Sequence, residues 1–229
     1  MPTDIWRDYF LESAVFNLQI LPESLLCGII ILSVLLANQP LMAVAAGGLI
    51  TQILTYGIGE SIMAADPQSA NITVRSPTDI CTSGYVGKNW ERVLRNIFLR
   101  KDGKPELYFH AYAPSVYLAT IGFFSGWGFA LQQLYQEEID AGILSRATAT
   151  TMLVITILLL MLVVVYRTMS GCETFFGALT GLFIGTIAGY FMCFILGYAT
   201  DRRATNVWGI PLLRDRINDG GPVYICPTD

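Results

Sequence analysis

Apolar residues are gathered into five stretches along the chain, and polar segments separate them. The stretches lie at about 21–37, 41–59, 113–131, 149–166 and 174–199. A helix needs about 20 predominantly apolar residues to cross the hydrocarbon core of a bilayer, which is roughly 30 Å thick. The pattern therefore predicts an all-α integral membrane protein with five transmembrane helices.

The first two stretches are separated only by Asn38-Gln39-Pro40. Proline lacks an N–H and disfavours helix in the residue before it, so this tripeptide predicts a tight break between two paired helices. The first stretch is short for a span. We expect either that the helix begins earlier, near Gln19, or that it is tilted or only partly inserted. The preceding residues carry carboxylates against a single Arg7, which is unlike a cleaved signal peptide.

The last stretch carries glycine at every fourth position, at Gly177, Gly181, Gly185 and Gly189. Residues four apart share one face of a helix. In a soluble helix each glycine costs about 1 kcal/mol relative to alanine, whereas membrane helices associate by close contact that small residues permit. We therefore predict a glycine-zipper face that packs against a neighbouring helix.

The third stretch offers the partner surface through Gly122 and Gly126. Pro114 stands near its start, where the first turn of a helix tolerates proline. The fourth stretch is apolar on all sides and has no small-residue stripe, so we expect it at the edge of the bundle, facing lipid.

Composition agrees with a membrane protein. Hydrophobic residues make up 53% of the chain and charged residues 14%, against about 25% charged in soluble domains. The net charge of −4 gives no electrostatic signature of a nucleic-acid partner. The five cysteines form no CxxC pair, so neither a zinc site nor a redox dithiol is indicated, and no cofactor is expected. We interpret Cys27 and Cys193 as small buried apolar residues.

Candidate catalytic groups are few. The middle of every stretch lacks ionisable residues, which counts against ion-coupled transport. His110 is the sole histidine and has no nucleophile motif beside it, so no enzyme activity is expected. Polar groups nearest the bilayer interior, including Gln52 and Gln133, are interpreted as hydrogen-bonding between helices, with a narrow polar pore as the alternative.

Two short polar motifs flank the last three stretches. The acidic run at 136–140 reads as a solvated cap rather than a metal site, because adjacent side chains on a helix point apart. Ser170-Gly171-Cys172-Glu173 reads as a helix start, with Glu173 in the first turn, where the helix dipole favours it. A reactive Cys172 thiol at this helix N-terminus is the alternative.

The segments outside the bilayer are expected to dock on neighbours. A basic amphipathic run at 88–101 is typical of a helix on a membrane surface or a partner, or of one that covers its own domain. The tail is too apolar for a disordered extension. The predicted contact residues are Trp90, Arg92, Arg95, Phe98, Arg100, Trp208, Arg214 and Arg216.

The chain is thus divided into an N-terminal segment, a two-span hairpin, an extramembrane loop, a three-span bundle and a docking tail. Their bounds are 1–20, 21–59, 60–112, 113–199 and 200–229. With five spans, nine of the 14 Lys and Arg share the side of the N-terminus, which favours a cytosolic N-terminus. Arg202 and Arg203 after the last span argue the opposite. In the first orientation the acceptor sequence at Asn71 is a chance match.

A resemblance covers the C-terminal half, about 113–226. It is carried by APSVYLATIGFFSGWGFALQQLYQEEIDAGI, by GCETFFGALTGLFIGTIAGY and, least generically, by ATDRRATNVWGIPLLRDRINDGGPVYIC. These segments resemble polytopic membrane proteins encoded by large icosahedral DNA viruses of algae and protists. The N-terminal half shows no comparable likeness. The resemblance implies a virion protein without catalytic residues, embedded in the internal lipid membrane beneath the capsid.

These observations favour a structural protein that packs in a membrane, alone or as a homo-oligomer, and contacts capsid-layer or other membrane proteins. Two alternatives remain open. One is a small oligomeric channel or facilitator built around the glycine-rich helix, and the other is an accessory subunit of a larger membrane complex.

Overall fold

The computed structural model describes residues 2–65, 113–140, 146–200 and 202–207. All regular structure within these ranges is helical, and they contain no strand, so the predicted all-α fold is confirmed for this part of the chain. The elements are α1 (Pro2–Leu35), α2 (Gln39–Ala65), α3 (Val116–Leu134), α4 (Gln136–Asp140), α5 (Arg146–Met169), α6 (Phe175–Ala199) and a 3₁₀ turn (Arg202–Thr205).

Among the described residues, three helical segments are long and apolar enough to cross a membrane: Gln39–Ile62, Thr150–Met169 and Phe175–Ala199. The prediction of membrane helices is confirmed to that extent, although the sequence predicted five. The apolar part of α1, Ile20–Leu35, is shorter. Helix α3 lies outside the set because its glycines and the two glutamines near its end lower its mean hydropathy. Most of its residues are buried against other helices.

Helices α1 and α2 form a hairpin. Helix α1 continues without a break through Pro22, across the predicted boundary at residue 20. The chain reverses at residues 36–38, where Ala37 adopts a left-handed φ of 47°, an uncommon conformation for a residue other than glycine. The Oδ1 atom of Asn38 accepts a hydrogen bond from the Leu41 amide at 3.1 Å. This bond satisfies one of the free N–H groups at the start of α2.

Side-chain hydroxyls set the starts of α3 and α6. Helix α6 starts where the sequence predicted, at about 174, whereas α3 starts three residues later than the predicted 113. Ser115 caps α3 by accepting from the Leu118 amide at 3.1 Å, so Pro114 precedes the helix rather than occupying its first turn. Thr174 caps α6 by accepting from the Gly177 amide at 3.1 Å. Glu173 therefore lies outside the first turn. A hydroxyl at the cap satisfies a free amide, which explains why the first turns begin after Ser115 and Thr174 and leave Pro114 and Glu173 outside.

Helices α3 and α6 lie side by side and run parallel, and α5 returns the chain between them. Gly122 meets Leu182 and Gly126 meets Thr186, so both helices advance together. The α2 helix packs against both. A core cluster at this junction includes Val44, Phe123, Trp127, Leu131, Tyr135 and Cys193. Burial of Cys193 is confirmed, whereas that of Cys27 is wrong, because it lies on an exposed side of α1.

Candidate functional site

The α3–α6 interface brings two helix backbones into direct contact. Gly181, Gly185 and Gly189 of α6 face the backbone carbonyls of Ser115, Ala119 and Phe123 respectively. A Cβ atom at any of the three glycines would overlap the facing carbonyl oxygen. At Gly177 the added atom would lie 2.7 Å from the Ala113 oxygen. The structure therefore has no room for a side chain at these four positions.

Helix α3 contributes glycines to the same interface from the other side. A Cβ on Gly122 would lie 2.5 Å from the carbonyl oxygen of Leu182, and one on Gly126 would overlap that of Thr186. Such close approach lets Cα–H groups face carbonyl oxygens, a weak interaction that recurs where helices touch. In a bilayer, the van der Waals packing that such close approach permits is a principal attraction between helices.

Other glycines of the described helices separate into tight and open positions. Beside Gly28 and Gly128 there is open space. At Gly47 of α2 an added Cβ would lie 2.7 Å from Cζ of Phe123, and at Gly48 it would lie 3.0 Å from Cδ1 of Leu26. Sequence reasoning missed this second small-residue contact. The adjacent small residues of the run AVAAGG were its only signal.

The two faces of α6 differ sharply. Its glycines are buried against α3, while large apolar side chains point outward at intervals of three to four residues. These exposed residues are Phe175, Phe176, Leu179, Phe183, Ile187, Phe191, Ile195 and Tyr198. The glycine face of α6 thus packs against α3, and the opposite face presents large apolar side chains that suit contact with lipid tails.

Two hydrogen bonds between polar side chains link neighbouring helices. Gln52 Nε2 of α2 donates to Thr120 Oγ1 of α3 at 2.9 Å, with both residues buried. Tyr190 of α6 donates its hydroxyl to Gln133 Oε1 of α3 at 2.6 Å. The hydrogen bonds between helices that we expected of the glutamines are therefore present.

A buried ion pair closes the end of the bundle where α5 turns into α6. Arg167 donates through Nη2 and Nε to Glu173 Oε1, at 2.7 and 3.1 Å, and the two side chains are only 6% and 8% exposed. The guanidinium carbon also lies 4.3 Å from the centre of the Tyr117 ring, within range of a cation–π interaction. This contact, which the sequence analysis missed, links α5, α6 and α3.

The same turn contains Gly171, whose φ of +68° suits glycine, and Cys172, which is disulfide-bonded. A reactive thiol at Cys172 is therefore wrong, because the sulfur is already in a covalent bond. Cys27 and Cys193 are free, so the partner of Cys172 lies outside the described residues.

The opposite end of the bundle is held by the 3₁₀ turn after α6. Tyr135 donates its hydroxyl to the Arg202 carbonyl at 2.5 Å, and burial raises the pKa of Tyr135, which keeps the hydroxyl protonated as a donor. Arg202 lies 3.6 Å from Glu137 and 3.9 Å from Glu138. The predicted solvated cap is correct for exposed Glu137 and wrong for Glu138, which is buried facing this turn.

The predicted contact surfaces lie outside the described residues. This applies to Trp90, Arg92, Arg95, Phe98, Arg100, Trp208, Arg214 and Arg216, and equally to Asn71 and His110. Within the described ranges, no group of three or more His, Cys, Asp or Glu side chains is placed to hold a metal ion.

No family model, curated protein or solved structure matches this chain.

Proposed function

We propose that this chain is a structural multi-pass membrane protein whose five apolar helical stretches cross a bilayer and whose outer segments bind neighbouring proteins. The observation that carries the proposal is the α3–α6 interface, where two parallel backbones touch along most of their length. The glycines of α6 act here as a glycine zipper. An interface of this kind builds a fixed scaffold within a membrane.

The exposed apolar surface supports a bilayer environment. Large apolar side chains are exposed over much of α1, α5 and α6, including Leu35 at 73% and Phe183 at 67%. Soluble monomers rarely expose contiguous apolar patches beyond a few hundred Å². Lipid tails would cover this surface without an energetic penalty.

Helix α3, which is less apolar, and the apolar part of α1, which is shorter, are assigned to the membrane because of how they pack. Helix α3 follows α6 in parallel from Gly122 to Leu134, which meets Gly197 near the end of α6. If α6 crosses the bilayer, α3 crosses beside it. The apolar part of α1 packs on α2 through Leu26 and Gly48, so the hairpin enters the membrane as a unit.

The viral internal membrane is the proposed location, and capsid-layer proteins are the proposed partners. This part of the proposal derives from the sequence resemblance over 113–226. The candidate segments for contact with a partner are 60–112 and 200–229. Assembly as a homo-oligomer in the same membrane is compatible with this role.

Cross-linking mass spectrometry in the native membrane or particle tests the proposal. We expect links from 200–229 to capsid-layer proteins, and these links should be lost when the chain is truncated after Thr205, although the truncated bundle still inserts. Links to enzyme or transporter subunits would instead favour the accessory-subunit alternative. Solute flux through vesicles containing the purified protein, above that of empty vesicles, would favour the channel.

A further inference from the structure

One end of the bundle gathers the end of α2, the starts of α3 and α6, and the turn that contains Cys172. A Cβ on Gly59 of α2 would lie 3.8 Å from the Ala113 Cβ atom. The Ser115 amide donates to the Gly177 carbonyl at 2.9 Å. The described residues that flank the segment 66–112, Ala65 and Ala113, therefore both belong to this end, which we call the turn end.

The tail leaves at the opposite end. Helix α6 has 25 residues and is about 37 Å long at 1.5 Å per residue. Beyond it, Arg202 contacts Tyr135 and Glu137 at the far end of α3. Val207, the last described residue before the tail, packs against the cluster that contains Tyr135, so the described chain ends at the end of the bundle opposite Cys172.

The positions of the cysteines limit which of them can pair with Cys172. Cys27 and Cys193 are free, which leaves Cys81 and Cys226 of the five cysteines. Cys81 belongs to the segment that opens at the turn end. Cys226 belongs to the tail, which a bilayer around the helices would keep on the other side. Topology therefore favours Cys81 as the partner.

We propose that Cys172 forms a disulfide with Cys81, and that the turn end of the bundle faces an oxidising compartment while the tail faces the cytosol. The inference rests on the five-span arrangement proposed above. Disulfides persist in the lumen of the endoplasmic reticulum and outside the cell, whereas cytosolic glutathione and thioredoxin keep thiols reduced.

The bond requires an oxidant, which is a protein disulfide of an oxidoreductase in that compartment. A thiolate of the pair attacks the oxidoreductase disulfide and forms a mixed disulfide. The second thiolate then attacks the mixed disulfide, which forms the Cys81–Cys172 bond and releases the oxidoreductase thiolate. The two thiols lose two electrons and two protons in total, and the oxidoreductase disulfide becomes a dithiol.

This orientation opposes the Lys and Arg majority, which places nine of 14 on the side of the N-terminus. Charge bias is a preference summed over many residues, while the redox state of a compartment acts directly on a thiol pair, so we give the disulfide more weight. Arg202 and Arg203 beside the last span agree with a cytosolic tail. Of the two predicted docking segments, the tail is then the one that a cytosolic capsid layer can reach.

Thiol counting tests the pairing in the full chain expressed in eukaryotic cells. A maleimide–polyethylene glycol reagent under denaturing, non-reducing conditions should label three of the five cysteines, and all five after reduction. Without reduction, Cys81→Ser should gain one label and Cys226→Ser should lose one. Five labels without reduction, or the reverse behaviour of the two variants, would overturn the pairing.

Epitope accessibility tests the orientation in the same cells. A C-terminal epitope should be stained after the plasma membrane alone is permeabilised, and an N-terminal epitope only after all membranes are dissolved. The opposite staining would overturn this inference, but resistance to alkaline carbonate extraction would still support the proposed membrane protein. Release by carbonate would overturn the proposed function itself.

Discussion

Helices α5 and α6 are similar in length and both are apolar enough to span a membrane, yet they contact the rest of the bundle in different ways. Helix α6 touches α3 along most of its length through glycines. Helix α5 buries Val163, Val164 and Arg167 near its end, while Met152 and Leu158 are exposed. Apolar composition makes both helices compatible with lipid, and small residues decide which one gains a close neighbour.

The difference follows from the source of attraction between helices in a membrane. Lipid tails solvate leucine as well as another helix does, so an all-apolar surface such as that of α5 gains little by packing. A glycine face lets two backbones approach, which adds contacts that lipid cannot supply. A polar contact can also hold a helix against its neighbours, and the Arg167–Glu173 ion pair does so for α5.

Disrupting the glycine face of α6 should cause the largest loss of stability. Gly185→Leu places a side chain where the Ala119 carbonyl of α3 already lies, so we expect loss of the folded bundle in detergent. Phe183→Leu, on the exposed face of α6, is the matched control and should change the melting temperature little. The measurement is size-exclusion chromatography of heated samples. Equal losses for the two variants would show that the glycine face has no special role.

Breaking the Arg167–Glu173 ion pair at the end of α5 should cause the next largest loss of stability. Arg167→Met leaves the Glu173 carboxylate buried without its partner, and breaking a buried pair in this way costs about 3–5 kcal/mol. The control is Glu137→Gln at the opposite end, where the pair with Arg202 is exposed and should contribute at most about 1 kcal/mol. Denaturant unfolding in mild detergent compares them, and similar costs at both ends would contradict the prediction.

Adding a single methyl group should have different effects on stability at two glycines of α3. Gly126→Ala directs a Cβ at the Thr186 carbonyl and should cost about 1–3 kcal/mol through overpacking. Gly128→Ala, two residues away, meets open space and should be neutral or gain up to about 1 kcal/mol from helix propensity. Melting temperatures measured side by side give the answer, and destabilisation by Gly128→Ala would refute the assigned geometry.

The polar link between α2 and α3 should contribute less. Gln52→Leu removes the hydrogen bond to Thr120, and interhelical hydrogen bonds in membranes are worth about 0.6 kcal/mol on average. A double-mutant cycle with Thr120→Val isolates the pair. A coupling energy above about 2 kcal/mol would show that Gln52 matters more than the glycine contacts suggest.

The smallest effect is expected on the open side of α5. Leu158 is 62% exposed, so Leu158→Ala opens no cavity and should change stability by less than about 0.5 kcal/mol. A large loss would show that this face is covered by protein, for example by a second copy of the chain. Cross-linking through Leu158→Cys would then identify the neighbour.

How far the sequence predicted the fold depends on whether the signal is local. Local sequence predicts the break at Asn38-Gln39-Pro40 and the helices on either side of it. The structure has a turn between α1 and α2 at this place. Helix α3 starts and ends three residues later than the predicted 113–131, and the overlooked Ser115 cap accounts for its start.

Contacts between distant residues were harder to predict. The tight positions at Gly47 and Gly48 depend on Phe123 and Leu26, and neither partner follows from spacing within α2. Burial of Glu138 depends on the turn after α6, more than 60 residues later. Arg167 and Glu173 are close in sequence, but only the turn at Gly171 brings them together.

The weak hydropathy of α3 bears on how the chain is made. During synthesis α3 leaves the ribosome well before α6, so the groove formed by Gly122 and Gly126 has no partner at first. Helix α5, which is the more apolar, can enter the bilayer by its own hydropathy. Stable residence of α3 would then await the arrival of α6, and a ribosome stalled between them should leave α3 exposed to quality-control proteases.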